Sequence, residues 1–338
     1  MGRLVGSIGS ILSDARWIGP HGIGRFAQEV LSRVGGELLD KGPPLLHPLE
    51  PLWLSLQLYR RRPQVYFSPG FNPPLASLRP FVFTIHDLIH LRVPQEASLA
   101  KQLYYKAVVR PAAHRAYQVL TVSEYSRREI LEWAQLPEHR VTVVGNGVSA
   151  AYSPEGPRHR PGYPYLLYVG NRKPHKNLGR LFQAFAMSGL ARDVRLVLSG
   201  PPDAETHNLA RSSGITGGVV FAGPIPEEEL PAYYRGATAL VFPSLYEGFG
   251  LPPLEAMASG TPVLTSNTTS LPEVVGDAAV TVDPLDTEQM AVRLQELVED
   301  TALRAVLRER GLERARLFSW EKTAEAVRRV LEAAAGER

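Results

Sequence analysis

Along the chain, short apolar runs alternate with longer stretches in which apolar positions recur every three or four residues. The first kind reads as strand and the second as helix. In the first half the runs are LVGSIGSIL (Leu4 to Leu12), VYFS (Val65 to Ser68), FVFTIHD (Phe81 to Asp87), YQVLTVS (Tyr117 to Ser123) and VTVVGNG (Val141 to Gly147). Helical spacing covers GRFAQEVLSRVGGELL from Gly24, SLAKQLYYKAVVRPAAHRA from Ser98 and EYSRREILEWAQL from Glu124. The second half keeps the rhythm. Its runs are YLLYVG (Tyr165 to Gly170), VRLVLSG (Val194 to Gly200), GVVFAG (Gly218 to Gly223), ATALVFPS (Ala237 to Ser244), PVLTS (Pro262 to Ser266) and AAVTVD (Ala278 to Asp283). Between them fall NLGRLFQAFAMSG, PEEELPAYYRG, PPLEAMASG, TEQMAVRLQELVED and a long C-terminal helical pattern. The strand runs are β-branched and apolar on both faces, as in a parallel sheet covered on both sides. Regular β–α alternation predicts two doubly wound α/β domains. The break between them falls in SAAYSPEGPRHRPGYP, Ser149 to Pro164, rich in proline, glycine and charge.

Composition narrows the classes. A chain of 338 residues with 44% apolar and 21% charged residues supports two cores of ordinary size. Without cysteine, disulfides, thiolate catalysis and cysteine-bound metals are excluded. No apolar run reaches the roughly 18 residues of a spanning helix. The segment MGRLVGSIGSILSDARW lacks the small-residue cleavage site of a signal peptide. The expected location is the cytoplasm, with a peripheral contact on the inner face of the membrane left open. The net charge of +3 fits a surface slightly rich in arginine, and nothing resembles a basic, aromatic-interleaved nucleic-acid patch. YRRRP, Tyr59 to Pro63, is the one short polybasic run. Apolar and basic residues between Pro43 and Arg79 suit either a membrane approach or core packing.

In open α/β sheets, ligands bind beyond the carboxyl ends of strands, so the chemistry is sought there. After LYVG comes NRKPHKNLGRL, which places Arg172, Lys173 and Lys176 just before a helix start near Asn177. Cations beside free helix N–H groups suit an anion, although ordinary charged loops look the same. After LVFPS comes SLYEGFGLPPLEAMASG. Glu247 and Glu255 are separated by seven residues, and the glycines between them let backbone approach a ligand closely. Taken singly, Glu247 is a solvated loop carboxylate and Glu255 a carboxylate favoured by a helix dipole. His86 ends a central run, His21 stands alone in GPHGIGRF as a surface residue, and Asp87 orients the loop beside His86. His90 reads as similar to His86 or as structural. Asp and His do not form a metal cluster.

SLYEGFGLPPLEAMASGTPVLTSN, followed by SLPEVVGDAAVTVDP, resembles the donor-site signature of retaining glycosyltransferases of family 4, also called group 1, which have the GT-B architecture. GIGRFAQEVL, TIHDL, TVSEYSRREI, GNGV and FSWEKTAE match other segments in the same order, so the resemblance spans nearly the whole chain. It implies two Rossmann-like domains facing a central cleft, 1–155 on the acceptor side and 156–319 on the donor side. A C-terminal helix, 320–338, would cross back to the first domain. It implies transfer of a hexose from a nucleotide-diphosphate sugar to a glycan or lipid-linked saccharide hydroxyl, without metal or other cofactor. Among donors GDP-mannose is favoured, because HGIGRF, IHDLIH and PHKN are similar to mannosyl- and rhamnosyl-transferring members; UDP-glucose or another nucleotide sugar follows closely. By the same resemblance Glu255 would hold the ribose diol, Glu247 the sugar hydroxyls, and the amides of Phe249, Gly250 and Leu251 the part between. Lys176 would bind the diphosphate and stabilise it as it leaves. Gly22 and Gly24 would bring amides to the phosphates, and His86 would reach the donor sugar. Many members carry an arginine where this chain has Asn171; Arg172, one position on, is expected to replace it as a diphosphate ligand, the alternative being that Arg172 and Lys173 face solvent. The resemblance implies catalysis by positioning and charge, with the departing phosphate oxygen taking the acceptor proton and no covalent role for Glu247. A nucleotide-sugar 2-epimerase of the same architecture, or a nucleotide-binding protein without activity, are the competing classes.

Overall fold

The computed structural model describes residues 10–336, so the start of the first expected strand, before Ser10, lies outside the described residues. The chain divides into two compact units, residues 1–147 with 319–338, and residues 148–318.

The first unit carries β1 (Ile11–Asp14), α1 (Gly22–Val34), β2 (Glu37–Leu39), α2 (Glu50–Arg61), β3 (Val65–Ser68), β4 (Phe81–Thr84), α3 (Ile89–Arg92), α4 (Leu99–Tyr104), α5 (Arg110–Arg115), β5 (Gln118–Thr121), α6 (Glu124–Ala134) and β6 (Val141–Val143). Its sheet runs β2-β1-β3-β4-β5-β6, with every neighbouring pair parallel. The apolar runs expected as strands are buried along their length in β1, β3 and β4. Three local readings are corrected. The helix expected to run on through GGELL stops at Val34, where Gly35 (φ 77°) breaks the α conformation, and Glu37–Leu39 joins the sheet as its edge strand. Residues 50–61, read only as apolar and basic, form α2. The long helix expected from Ser98 is interrupted by a wider π turn at Tyr105–Val109 just before Pro111, whose ring and missing N–H a regular α turn does not accommodate.

The second unit carries β7 (Tyr165–Tyr168), α7 (Leu178–Met187), β8 (Arg195–Ser199), α8 (Ala204–Ser212), β9 (Val219–Gly223), α9 (Leu230–Gly236), β10 (Ala239–Phe242), α10 (Leu251–Ala258), β11 (Val263–Ser266), α11 (Leu271–Val275), β12 (Val280–Val282), α12 (Thr287–Glu299) and α13 (Thr301–Ala315). Its sheet runs β12-β11-β10-β7-β8-β9, again parallel throughout. Strand order reverses between β7 and β10, and such a switch point is where open α/β sheets bind ligands. The first unit has the same reversal between β1 and β3.

The last helix, α14 (Trp320–Gly336), belongs to the first unit and packs along α1. It buries Trp320, Val327, Leu331 and Ala334, and Phe26 of α1 meets the Trp320 ring edge-on at 6.5 Å. Arg328 donates to the Arg33 carbonyl at 2.6 Å, and Arg33 pairs with Glu321 at 3.0 Å. Where the chain leaves the sheet, a Cβ on Gly147 would stand 2.1 Å from the Trp320 nitrogen, so only glycine lets the two segments touch.

Candidate functional site

In the second unit the site is built on the loops that leave β7 and β10. The β7 loop is pinned at several points. Tyr168 donates its hydroxyl to the Asn171 carbonyl at 2.5 Å, and burial pushes that phenol well above its ordinary pKa. Asn177 takes a left-handed conformation (φ 64°), which asparagine tolerates better than most residues. Its amide donates to the carbonyls of Pro243 (3.1 Å) and Pro284 (2.7 Å). The Leu245 N–H donates to the His175 carbonyl at 2.7 Å, tying the β7 and β10 loops together. Between these ties lies Lys176, whose Nζ is 2.6 Å from Glu247 Oε1 and 5.1 Å from the centre of the Phe242 ring. The side chains of Lys176 and Glu247 are only 11% and 15% exposed. The two residues are thus a largely desolvated ion pair at the switch point.

Glu247 is held through its backbone as well. Its N–H donates to Thr269 Oγ1 at 3.2 Å, and Ser270 Oγ donates to the carbonyls of Glu247 and Phe249 at 2.9 and 2.8 Å. Phe249 is buried edge-on against Phe318. Gly250 turns the chain with φ 119°, and a Cβ there would lie 2.8 Å from Leu271 Cδ2. Leu251 then opens α10, with Pro252 in its first turn, where no intrahelical N–H is needed. One turn further, Glu255 is buried, and the buried Tyr234 donates its hydroxyl to Glu255 Oε2 at 2.9 Å. Tyr234 is fixed in turn by Thr261, which donates to its carbonyl at 2.6 Å.

Arg172, expected as a diphosphate ligand, is held by groups of its own unit. Its Nη1 pairs with Asp203 Oδ2 at 2.6 Å and donates to the Pro201 carbonyl, while Nη2 donates to the carbonyls of Ser199 and Gly200, each at 3.1 Å. The guanidinium also lies over the Phe221 ring at 5.1 Å. It is spent on the loop between β8 and α8, because the carbonyls at the end of β8 converge on it. At Asp203, burial works upward but is outweighed by hydrogen bonds from Thr206 and Arg172, which hold the carboxyl below its usual range. Lys173 is exposed.

In the first unit His86 follows β4 and is buried. Its Nε2 lies 2.8 Å from the Pro69 carbonyl, so Nε2 carries the proton and Nδ1 keeps its lone pair. Burial lowers its pKa to about 4, with nearby His21 adding to the effect, so the ring is neutral at physiological pH. Phe26 of α1 meets it edge-on at 4.9 Å. Asp87 accepts the Ile89 N–H at 3.0 Å, and His90 packs edge-on against Phe71 and Tyr105. His21, read as a surface residue, caps α1: its Nδ1 accepts the Gly24 N–H at 2.9 Å. That amide is therefore already used. Gly22 begins the helix and is exposed, whereas Gly24 is buried so closely that a Cβ would sit 2.2 Å from the Gly19 carbonyl oxygen.

A polar cluster at the β1–β3 switch point escaped the sequence reading. Arg16 binds Asp14 at 2.5 Å and Glu50 at 2.7 Å, and Asn72 donates to both carboxylates at 2.8 and 2.9 Å. Tyr66 donates to Asp14 at 3.0 Å, and Trp17 Nε1 donates to Asn72 at 2.6 Å. Burial raises the Glu50 pKa. Tyr234, Thr269 and Ser270 were missed as well. Their neutral side chains act through bonds to Glu247 and Glu255, which no spacing rule announces.

The structure thus pairs Lys176 with Glu247 at the β7–β10 switch point, with the turn Phe249–Leu251 and the buried Glu255 following along the same segment, and sets His86 against Phe26 in the first unit. Among the described residues no group of three or more His, Asp or Glu is placed to hold a metal ion, and no helix is long and apolar enough to cross a membrane. Two Rossmann-like units, one of them with a cation and two carboxylates at its switch point, define a class of α/β proteins that bind phosphorylated, hydroxyl-rich ligands.

Comparison with known proteins makes the class specific. Residues 14–152 match the family model described as Glycosyltransferase Family 4, and residues 153–314 that described as Glycosyl transferases group 1. The O-antigen chain mannosyltransferase B of Escherichia coli is 34% identical over 298 residues, covering 84% of this chain and 77% of that protein. The O-antigen chain mannosyltransferase RfbU of Salmonella typhimurium is 26% identical over 265 residues, covering 77% of this chain and 73% of its own length. The crystal structure of WaaG, a glycosyltransferase involved in lipopolysaccharide biosynthesis, superposes with a TM-score of 0.77 at 18% identity, covering 95% of this chain and 99% of that one. The chain belongs to the family 4, group 1 glycosyltransferases and has the GT-B fold. It is a glycosyltransferase, which sets aside the epimerase and the inactive nucleotide-binding readings.

Proposed function

We propose that this enzyme moves a hexose, with mannose favoured, from a nucleoside-diphosphate sugar to a hydroxyl of a glycan or lipid-linked glycan, with retention at the anomeric carbon. The observation that carries the reading is the Lys176–Glu247 pair at the β7–β10 switch point, with Glu255 buried one helical turn beyond Gly250. When donor enters, Lys176 exchanges Glu247 for a diphosphate oxygen, and the freed Glu247 carboxylate accepts from hydroxyls of the sugar. Glu255 receives the ribose diol, with Tyr234 holding its second oxygen. The bond from the anomeric carbon to the phosphate oxygen breaks, and a bond to the acceptor oxygen forms on the same face. The acceptor proton passes to the departing phosphate. Lys176 stabilises the charge that builds there, which speeds the step more than it tightens binding. His86 of the first unit is neutral, with its Nδ1 lone pair free of a proton.

Arg172 enters this reading indirectly. Committed to Asp203 and three carbonyls, it braces the β8–α8 loop and leaves the diphosphate to Lys176. The names of the two O-antigen relatives favour mannose and a polysaccharide acceptor. The deciding experiment is thermal stabilisation by GDP, UDP and ADP and by their sugars, followed by transfer assays with the preferred donor. Strongest stabilisation by GDP and GDP-mannose supports the proposal. A UDP preference replaces mannose with a UDP-linked hexose, and a glycosyl adduct trapped on Glu247 sinks the same-face mechanism.

A further inference from the structure

In the loop that leaves β11, two consecutive residues forgo local stability. Thr269 has φ 57°. Of the five non-glycine residues with left-handed backbone among the described residues, it alone is β-branched, and a β-branched side chain is a true outlier there. Arg62 and Gln135 close helices α2 and α6, where left-handed backbone is ordinary, and Asn177 tolerates it. Thr269 closes no helix; α11 begins two residues later. Ser270 forgoes something different. It stands at the N-cap of α11, where a serine ordinarily accepts an N–H of the first turn. Here its own backbone is already helical and its hydroxyl makes no capping bond.

Both departures serve one neighbouring loop. Thr269 Oγ1 accepts the Glu247 N–H at 3.2 Å. Ser270, fully buried, turns its hydroxyl to the carbonyls of Glu247 and Phe249 at 2.9 and 2.8 Å. The backbone of Glu247 is thus held at its N–H and at its C=O, by two side chains that arrive from the exit of the adjacent strand. Fixing both sides of a residue fixes the direction of its Cβ. From that Cβ the Glu247 carboxylate reaches Lys176 Nζ at 2.6 Å. Strained backbone persists only where its surroundings over-determine it, and it collects where a side chain has to be aimed. A strained threonine and an unused cap, side by side and both bonded to the Glu247 turn, fit that description.

We propose that Thr269 and Ser270 are positioning residues for the transfer: they clamp the Glu247 backbone so that its carboxylate meets Lys176 before donor binds and the sugar afterwards, and their own turn is left strained. The proposal rests on Glu247 as the ligand of the donor sugar. Its deciding variants are Thr269→Gly, which removes the hydroxyl and keeps φ 57° without strain, and Thr269→Ser, which keeps the hydroxyl. In far-UV circular dichroism Thr269→Gly should melt no more than about 2 °C below the parent, since relief of strain offsets the lost bond and the freer unfolded chain. Hydrolysis of GDP-mannose to mannose and GDP, with water standing in for the acceptor, should nevertheless fall at least about tenfold. Thr269→Ser should bring the rate back to within about threefold of the parent. GDP should bind Thr269→Gly no more weakly than it binds the parent, because the diphosphate then displaces a looser carboxylate. A measurement free of nucleotide runs beside these. The coupling between Lys176→Met and Glu247→Gln in urea unfolding should shrink at least about fivefold in the Thr269→Gly background. Full turnover by Thr269→Gly, an undiminished coupling, or a melting point more than about 5 °C below the parent with no rescue by Thr269→Ser overturns the clamp. If the parent does not turn over GDP-mannose, the donor reading falls instead, and the coupling alone decides for or against the clamp.

Discussion

The Lys176–Glu247 pair makes an unusual demand: its two halves should respond to substitution with opposite sign when nucleotide binding is measured. At an effective dielectric of about 20, unit charges this close attract by about 6 kcal/mol. Desolvation of both ions offsets much of that, and breaking such a pair from one side typically costs about 3–5 kcal/mol. With 11% and 15% of the side chains still exposed, about 3 kcal/mol is expected for Lys176→Met in the stability of the second unit. GDP binding adds a competition, because the diphosphate must displace Glu247 from the lysine. Lys176→Met should weaken GDP by about 2–3 kcal/mol, some 30- to 150-fold, the worth of a charge-assisted bond. Glu247→Gln removes the competitor and a nearby negative charge, and should tighten GDP up to about tenfold while lowering turnover at least about 100-fold. Calorimetric titration of GDP into the parent, both single variants and the double variant reads these terms directly. Stability is followed by far-UV circular dichroism, since all four tryptophans (Trp17, Trp53, Trp133 and Trp320) lie in the first unit and their fluorescence reports only on it. If Glu247→Gln weakens GDP as Lys176→Met does, or if the two substitutions add within about 0.5 kcal/mol in stability, the exchange model is wrong.

Three further outcomes are expected. Gly250→Ala forces a side chain into φ 119° and against Leu271, and should destabilise the second unit by about 1–3 kcal/mol in circular-dichroism melts; an unchanged melting temperature would show that the turn relaxes freely. His86 has a folded pKa near 4 against an unfolded value of 6.5, so the unfolded chain takes the proton first and stability falls as pH drops through that window, by about 3 kcal/mol in all. Urea unfolding followed by tryptophan fluorescence across the window should show this slope flattened in His86→Gln, and a parallel slope in the variant counts against the assignment. Arg172→Ala should lower the melting temperature yet leave GDP affinity within about threefold of the parent, whereas a loss beyond about 30-fold would make Arg172 a direct ligand.

How far the sequence foretold this arrangement depends on what each residue needs from its neighbours. Strands buried on both faces show as unbroken apolar runs, so all but one of the twelve strands among the described residues were legible. The exception, β2, is a three-residue edge strand with two exposed positions, and its ELL leaves no run to see. Helix α2 was missed because its outer face is as apolar as its inner one, which erases the 3.6-residue period. Lys176 and Glu247 stood out as charged residues just beyond strand ends, but their pairing with each other was not foreseen, because it joins two loops far apart in sequence. The bonding of Arg172 was not foreseen either, since its partners stand at the end of a neighbouring strand and nothing local distinguishes a braced arginine from a free one. His21 was passed over because histidine is not among the usual N-cap residues, although its place three before Gly24 is where a cap would sit.

The place of α14 carries a consequence for how the molecule is made. The first unit is written at both ends of the chain, with the whole of the second unit spelled out between them. During synthesis, residues 10–147 emerge with the flank of α1 unclad, and the helix that covers it arrives only after the second unit has had time to close. Trp320 and Leu331 are therefore among the last buried side chains to find their places. A nascent chain halted near Phe318 would present a folded second unit beside an unfinished first one. Such a species is the one most exposed to chaperones and proteases.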